Sequence, residues 1–165
     1  MKRKVLIAVA VVLVILASVT IATAANRGEL GKLRAATAKY QKLESAQADG
    51  YGLVPGLDHC FDNPGVGAMG FHYINTSLLD THLDANRPEA MVYNKNNDGQ
   101  MKLGAVEYIV PADAWAESGN SGLPEVMGRH LHLNEALGVY VLHAWVWQNN
   151  PNGVFEDWNP RVTCQ

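Results

Sequence analysis

The hydrophobic pattern divides the chain into two unequal parts. From Val5 to Ala25 no residue is charged, and Val5 to Ala17 is wholly aliphatic. Further along, apolar residues are spaced between polar ones. From Gly28 to Ala48, Leu30, Leu33, Thr37, Tyr40 and Leu43 recur at steps of three and four, with Lys32, Arg34, Lys39, Lys42 and Glu44 between them. That spacing predicts one amphipathic helix, stopped by Asp49-Gly50. Pro55, Pro64 and several glycines mark residues 51–67 as an irregular loop that carries Cys60.

Strand character runs from Ala68 to Ile74. Ala90 to Tyr93 and Met101 to Val110 read as two strands around Asn97-Asp98-Gly99, a hairpin signal. Pro111 to Glu117 predicts a short helix, residues 118–128 a loop and His130 to Leu133 a short strand. Gly138 to Trp147 is the clearest strand. The tail from Asn149, with two Asn-Pro pairs and Asn152-Gly153, is extended and turn-rich. One helix followed by about five strands, joined by hairpins and loops, gives an α+β class. The expected architecture is an N-terminal amphipathic helix followed by an antiparallel sheet, curled or closed as a small barrel. The irregular segments are long for this size and point to a functional rim.

The aliphatic run changes the picture of location. Lys2, Arg3 and Lys4 precede it, and Ala22-Thr23-Ala24-Ala25 ends it in the small-x-small pattern that signal peptidase cuts. Residues 1–25 therefore read as a signal peptide or, uncleaved, as an N-terminal membrane anchor, since the run is long enough to span a bilayer. Residues 26–165 read as one exported globular domain, secreted or extracytoplasmic. Taking the three leader cations from the 13 basic residues leaves ten against 16 acidic ones, a net charge near −6. There is no basic patch to neutralise phosphates, so nucleic acid is excluded as a partner. Membrane contact is expected only through an uncleaved N-terminal segment. Cys60 and Cys164 are the only cysteines, and in an oxidising compartment an even count reads as one disulfide.

Alternation along the strands brings in the chemistry. Val139, Val141, His143, Trp145 and Trp147 share one face of the last strand; Gly70, His72 and Ile74 share one face of the first. In the second hairpin strand Leu103, Ala105, Glu107 and Ile109 lie together. Three strands thus each set one ionisable residue amid an apolar face, where a carboxylate needs a partner. His72, Glu107 and His143 converging from neighbouring strands match the ligand set of a transition-metal site for Zn, Cu, Mn or Fe. His130 and His132 are further candidate ligands, both rings pointing one way if the segment is extended. The competing reading pairs Glu107 with one imidazole in a satisfied polar core.

Other patterns carry less. His130-Leu131-His132-Leu133-Asn134-Glu135 resembles the first cupin motif but has only two residues before its Glu, and the second cupin motif is absent. Asn94 to Gly99 opens like a calcium loop, but its twelfth position is Ala105 rather than the required Glu. Trp145 and Trp147, with Phe155 and Trp158 nearby, are candidates for a sugar- or aromatic-binding surface. The stretches Ala48-Asp49-Gly50-Tyr51, Met69-Gly70-Phe71-His72-Tyr73-Ile74-Asn75, Val106-Glu107-Tyr108, Leu142-His143-Ala144-Trp145-Val146-Trp147, Asn150-Pro151-Asn152-Gly153 and Asn159-Pro160-Arg161-Val162-Thr163-Cys164 resemble a group of uncharacterised secreted bacterial proteins. That resemblance implies secretion and no activity. The sequence therefore points to an exported domain with a His/Glu transition-metal site, a metal-dependent oxidoreductase or lyase. The alternative is a non-catalytic module that binds a small molecule or sugar.

Overall fold

A computed structural model describes residues 27–164; the leader expected at 1–25 lies outside them. Among the described residues no helix is long and apolar enough to cross a membrane. Residues 27–37 form helix α1, followed by a 3-10 turn Ala38–Gln41 and helix α2 Leu43–Ala48. The single helix expected from the spacing is thus broken at Lys42, whose backbone is extended (φ −94°, ψ 117°). The break begins at Thr37, whose buried hydroxyl donates back to the Leu33 carbonyl at 2.8 Å, a bond that bends helices. The stop at Asp49-Gly50 forms as expected. Gly50 takes φ +92°, and Tyr51 N–H reaches the Ala46 carbonyl at 3.0 Å while Gly50 N–H reaches Gln47.

The strands are β1 Phe61–Asn63, β2 Gly67–Ile74, β3 Ala90–Lys95, β4 Met101–Pro111, β7 His132–Asn134 and β8 Val139–Ala144. They form one antiparallel sheet in the order β1-β2-β3-β4-β8-β7. Helix α3, Ala112–Glu117, follows β4 where a short helix was expected. Strand β1 lies within the stretch read as loop, where Asn63-Pro64-Gly65 turns it back onto β2. A second ribbon pairs β5 Glu125–Val126 with β6 Arg129–His130. Its turn, Met127-Gly128, takes positive φ at both residues (52° and 67°), the geometry of a tight hairpin. That ribbon splits the strand expected over 130–133. Likewise β8 ends at Ala144, because Trp145 N–H turns to the Val154 carbonyl and Trp147 N–H to Gly104.

The two faces of the sheet differ. On one, Tyr73, Met91, Tyr93, Val106, Tyr108, Val110 and Leu142 pack with Leu33, Tyr40, Ala46 and Tyr51 of the N-terminal helical segment into the main core. Tyrosine hydroxyls in this layer find backbone acceptors, Tyr93 on Tyr40 at 2.6 Å and Tyr51 on Pro88 at 2.9 Å. The other face curls inward. Gly70, at φ +113° where β2 passes from β1 to β3, has no room for a Cβ against the Tyr93 carbonyl and Asn94. Small residues on the central strands, Ala90 and Ala105, leave the interior open.

Candidate metal centre

Register places the three expected ligands. His72 of β2 stands opposite Val92, Val92 opposite Ala105, and Ala90 opposite Glu107, which in turn faces His143 of β8. All therefore project from one face. In a flat sheet β2 and β8, three strand spacings apart, would lie about 14 Å from each other. Instead His72 Nε2 and His143 Nε2 are 3.2 Å apart, so this face is the inside of the curl. His72 Nε2 is 3.5 Å from Glu107 Oε2, and His143 Nε2 is 3.8 Å from Glu107 Oε1. One ligand atom from each residue lies within 4.8 Å of the others, and all three side chains are buried.

This polar layer sits between two apolar ones. Ala68, Val92, Ala105, Trp145 and Val162 close one end of the curl. Ile74, Ala90, Ile109 and Val141, with Val54, Leu57, Leu79 and Val139 around them, make the other. A cavity of about 290 Å³ opens on this second side and has the triad in its wall.

Burial governs the protonation states. It pushes the His72 imidazole down to about 3, assisted by the neighbouring His143, so His72 is neutral across the physiological range. Burial also raises the Glu107 carboxyl above its ordinary value, with His143 opposing. For His143 burial acts downward, but Glu107 and the Asp157 carboxylate outweigh it and its pKa is raised. Burial likewise acts upward on Asp157, yet the bond to His143 and the charge of His132 hold it below the usual carboxylate range. An ionised carboxylate only accepts, so His143 Nδ1–H donates to Asp157 at 3.1 Å, and His132 Nε2 stands 3.0 Å from its other oxygen. The tautomer of neutral His143 is thereby fixed, with the Nε2 lone pair aimed at His72 and Glu107. His72 Nδ1 makes no hydrogen bond of good geometry, although the Gly70 carbonyl is close enough to favour its proton.

The triangle suits a single ion. Bonds of 2.0–2.1 Å put ligand atoms about 2.9 Å apart at an octahedral corner and about 3.3 Å apart in a tetrahedron. The nitrogens already stand at such a spacing, and the Glu107 oxygens lie a little farther off, at 3.5 and 3.8 Å.

The remaining expected residues are dispersed. His132 shares the inward face through its pairing with Val141, but its ring meets Asp157 and is one layer removed from the triad. His130 belongs to the separate ribbon, is exposed, and lies 3.5 Å from Glu125; the expectation that it joins the ligands is corrected. The two rings do not point one way, because the chain changes sheets at Leu131. Trp145 and Trp147 do not form one binding surface either. The Trp145 indole donates to the Glu156 carbonyl at 2.6 Å in the apolar end layer. The Trp147 indole donates to Thr37 Oγ1 at 3.0 Å against the helical side, under the Arg34 guanidinium. Neither lines the cavity; Trp158 does.

Cys60 and Cys164 are bonded, with their Cα atoms 5.6 Å apart, as an oxidising compartment permits. The bond fixes the chain beside Phe61, whose ring meets the His72 ring edge-on at 5.2 Å. Asp157 and Phe61 went unread in the sequence. Asp157 lies in an irregular tail with no periodicity to orient it, and β1 is too short to show one. No family model, curated protein or solved structure matches the chain.

Proposed function

We propose that the protein is an exported metal-dependent enzyme, an oxidoreductase or a lyase, whose ion is held by His72, Glu107 and His143. The observation that carries this reading is the Glu107 carboxylate. It is buried at the cavity wall between two apolar layers, and two imidazole nitrogens stand 3.5 and 3.8 Å from its oxygens. A carboxylate so placed is costly unless a cation compensates it. A divalent ion shared with the two imidazoles does so.

The donor set fits such a group. Two imidazoles and one carboxylate, with no thiolate, suit Zn, Mn, Fe or Cu. Three protein ligands beside a cavity leave positions for water and substrate, the pattern of catalytic sites. The bound ion supplies Lewis acidity or, if redox-active, electrons. The chain supplies the rest. Asp157 orients His143, burial keeps His72 neutral and able to ligate, and the apolar walls exclude bulk water. Export is supported by the pattern of residues 1–25 and by the disulfide.

A second reading is favoured by the 3.2 Å between the two Nε2 atoms, which also suits a hydrogen bond. In it the triad is the polar wall of a non-catalytic binding module. Titration with Co(II) separates the two. The metal reading predicts a saturable visible absorption at one equivalent, altered by added azide at an open position. No visible spectrum above that of free Co(II) would leave the binding module.

A further inference from the structure

The cavity beside the triad has walls of unusual chemistry. Val54, Leu57, Ile74, Leu79, Ile109 and Val141 are among the apolar residues that line it, and Trp158 and Phe61 border it. No lysine or arginine lines it. The charged or titratable groups that do are His72, Glu107, His143, Asp157 and His132, and Asp157 is already engaged by two imidazoles. Thr76 and Asn134 are the neutral polar side chains in the wall.

We infer that the cavity takes a small, uncharged, largely apolar molecule with one polar atom directed at His72, Glu107 and His143. Metal ligation of that atom rests on the function proposed above; the apolar class does not. A phosphate, sulfate or free carboxylate would find no lysine or arginine and would face two acidic residues. A sugar would bury several hydroxyls against walls offering partners only at Thr76, Asn134 and the triad itself, and unpaired buried hydroxyls are penalised. About 290 Å³ is roughly twice a cavity known to bind benzene, which sets the ligand at on the order of ten heavy atoms. The polar layer closes one side of this volume and the apolar rim the other, so a single orientation satisfies both.

The test uses the disulfide-bonded mature protein, loaded with Zn, and two neutral nitrogen donors at pH 8. Imidazole offers the donor alone; benzimidazole adds four ring carbons. Burying those carbons predicts that benzimidazole binds on the order of 100-fold tighter, read by calorimetry and by a change in Trp emission. Leu57→Trp, in the loop over the cavity, should abolish this preference while leaving Zn stoichiometry intact. A Trp158→Phe variant should lose most of the emission change and keep the affinity. Equal affinities in a protein that does hold Zn would overturn the inference and leave the metal reading standing. Tighter binding of glucose or inorganic phosphate than of benzimidazole would overturn it too. If Zn does not bind, indole is offered to the metal-free protein. Saturable binding lost in Leu57→Trp would support the apolar class while refuting the metal, and absence of binding would refute both.

Discussion

Asp157 Oδ1 lies 3.1 Å from His143 Nδ1, and this bond decides which nitrogen of a buried imidazole is free to act. The other oxygen of the same carboxylate lies 3.0 Å from His132 Nε2, so the tail that carries it meets two strands. Asp157→Asn keeps the size of the side chain but loses the charge that holds His143 in place. Removing such an outer partner of a metal-binding imidazole typically costs 10–100-fold in affinity. We expect a loss of that size in a chelator competition, with an unchanged far-ultraviolet spectrum. A full-strength site in Asp157→Asn would mean that His143 is oriented by packing alone.

Metal affinity should fall as pH falls. The ion needs neutral imidazoles and ionised Glu107, so protons compete with it. His72 does not take part above about 3, because burial keeps it neutral. His143 is raised above the ordinary histidine value and Glu107 above the ordinary carboxylate value, so these two groups carry the competition. The apparent affinity should therefore decline once pH passes below the raised His143 value, with Glu107 steepening the loss at lower pH. A flat profile from pH 8 to pH 5 would contradict this assignment.

Glu89 gives a separate pH signature. Its carboxylate accepts the Ile109 N–H at 3.0 Å, standing in for a strand carbonyl where β3 has not yet begun. The side chain is buried, and burial pushes its pKa up to about 7 from 4.5. A folded-state pKa raised above the unfolded one gives stability that is complete below 4.5 and is lost as pH rises through about 7. The loss is on the order of 3 kcal/mol. Glu89→Gln can still accept from Ile109 without ionising. Urea midpoints of this variant should not show the decline seen in the parent between pH 5 and 8. Identical pH profiles would place the effect elsewhere.

The disulfide should stabilise mainly through the unfolded chain. Cys60 and Cys164 are 104 residues apart, and closing a loop of that length is worth about 4–5 kcal/mol in the chain-entropy model. The folded tail has other anchors. Asn159 and Ala68 exchange backbone hydrogen bonds at 3.0 and 3.1 Å, and Val162 is buried. Cys164→Ser should therefore lower the urea midpoint strongly yet leave Trp145 emission nearly native. A variant with loosened Trp emission before unfolding would show that the bond also holds the native tail.

The inward face was legible because strand alternation needs only two-residue periodicity. His72 and Ile74, then Ala105, Glu107 and Ile109, then Val141 and His143, do share one surface. The hairpin at Asn97-Asp98-Gly99 was legible for the same local reason: its residue types favour one turn. What escaped depends on distant contacts. The Thr37 hydroxyl that bends the helix is also the acceptor for Trp147, 110 residues on, and Trp145 leaves β8 for the Val154 carbonyl in the tail. The ribbon that removes His130 from the site turns on Met127 at positive φ, a conformation its residue type does not announce. Asp157 could not be placed from the sequence, since a turn-rich tail has no period to fix a direction.

The central claim is that His72, Glu107 and His143 hold one metal ion. Elemental analysis of the mature protein, produced in an oxidising compartment and offered Zn, Mn, Fe(II) and Cu(II) before dialysis, measures it most directly. The account predicts one equivalent of a single transition metal in the parent, and none in His143→Ala of unchanged circular dichroism. It also predicts a marked loss in Glu107→Gln, which keeps the shape of the side chain and removes its charge. A parent protein that retains no stoichiometric metal, or a His143→Ala variant that retains all of it, would contradict the account.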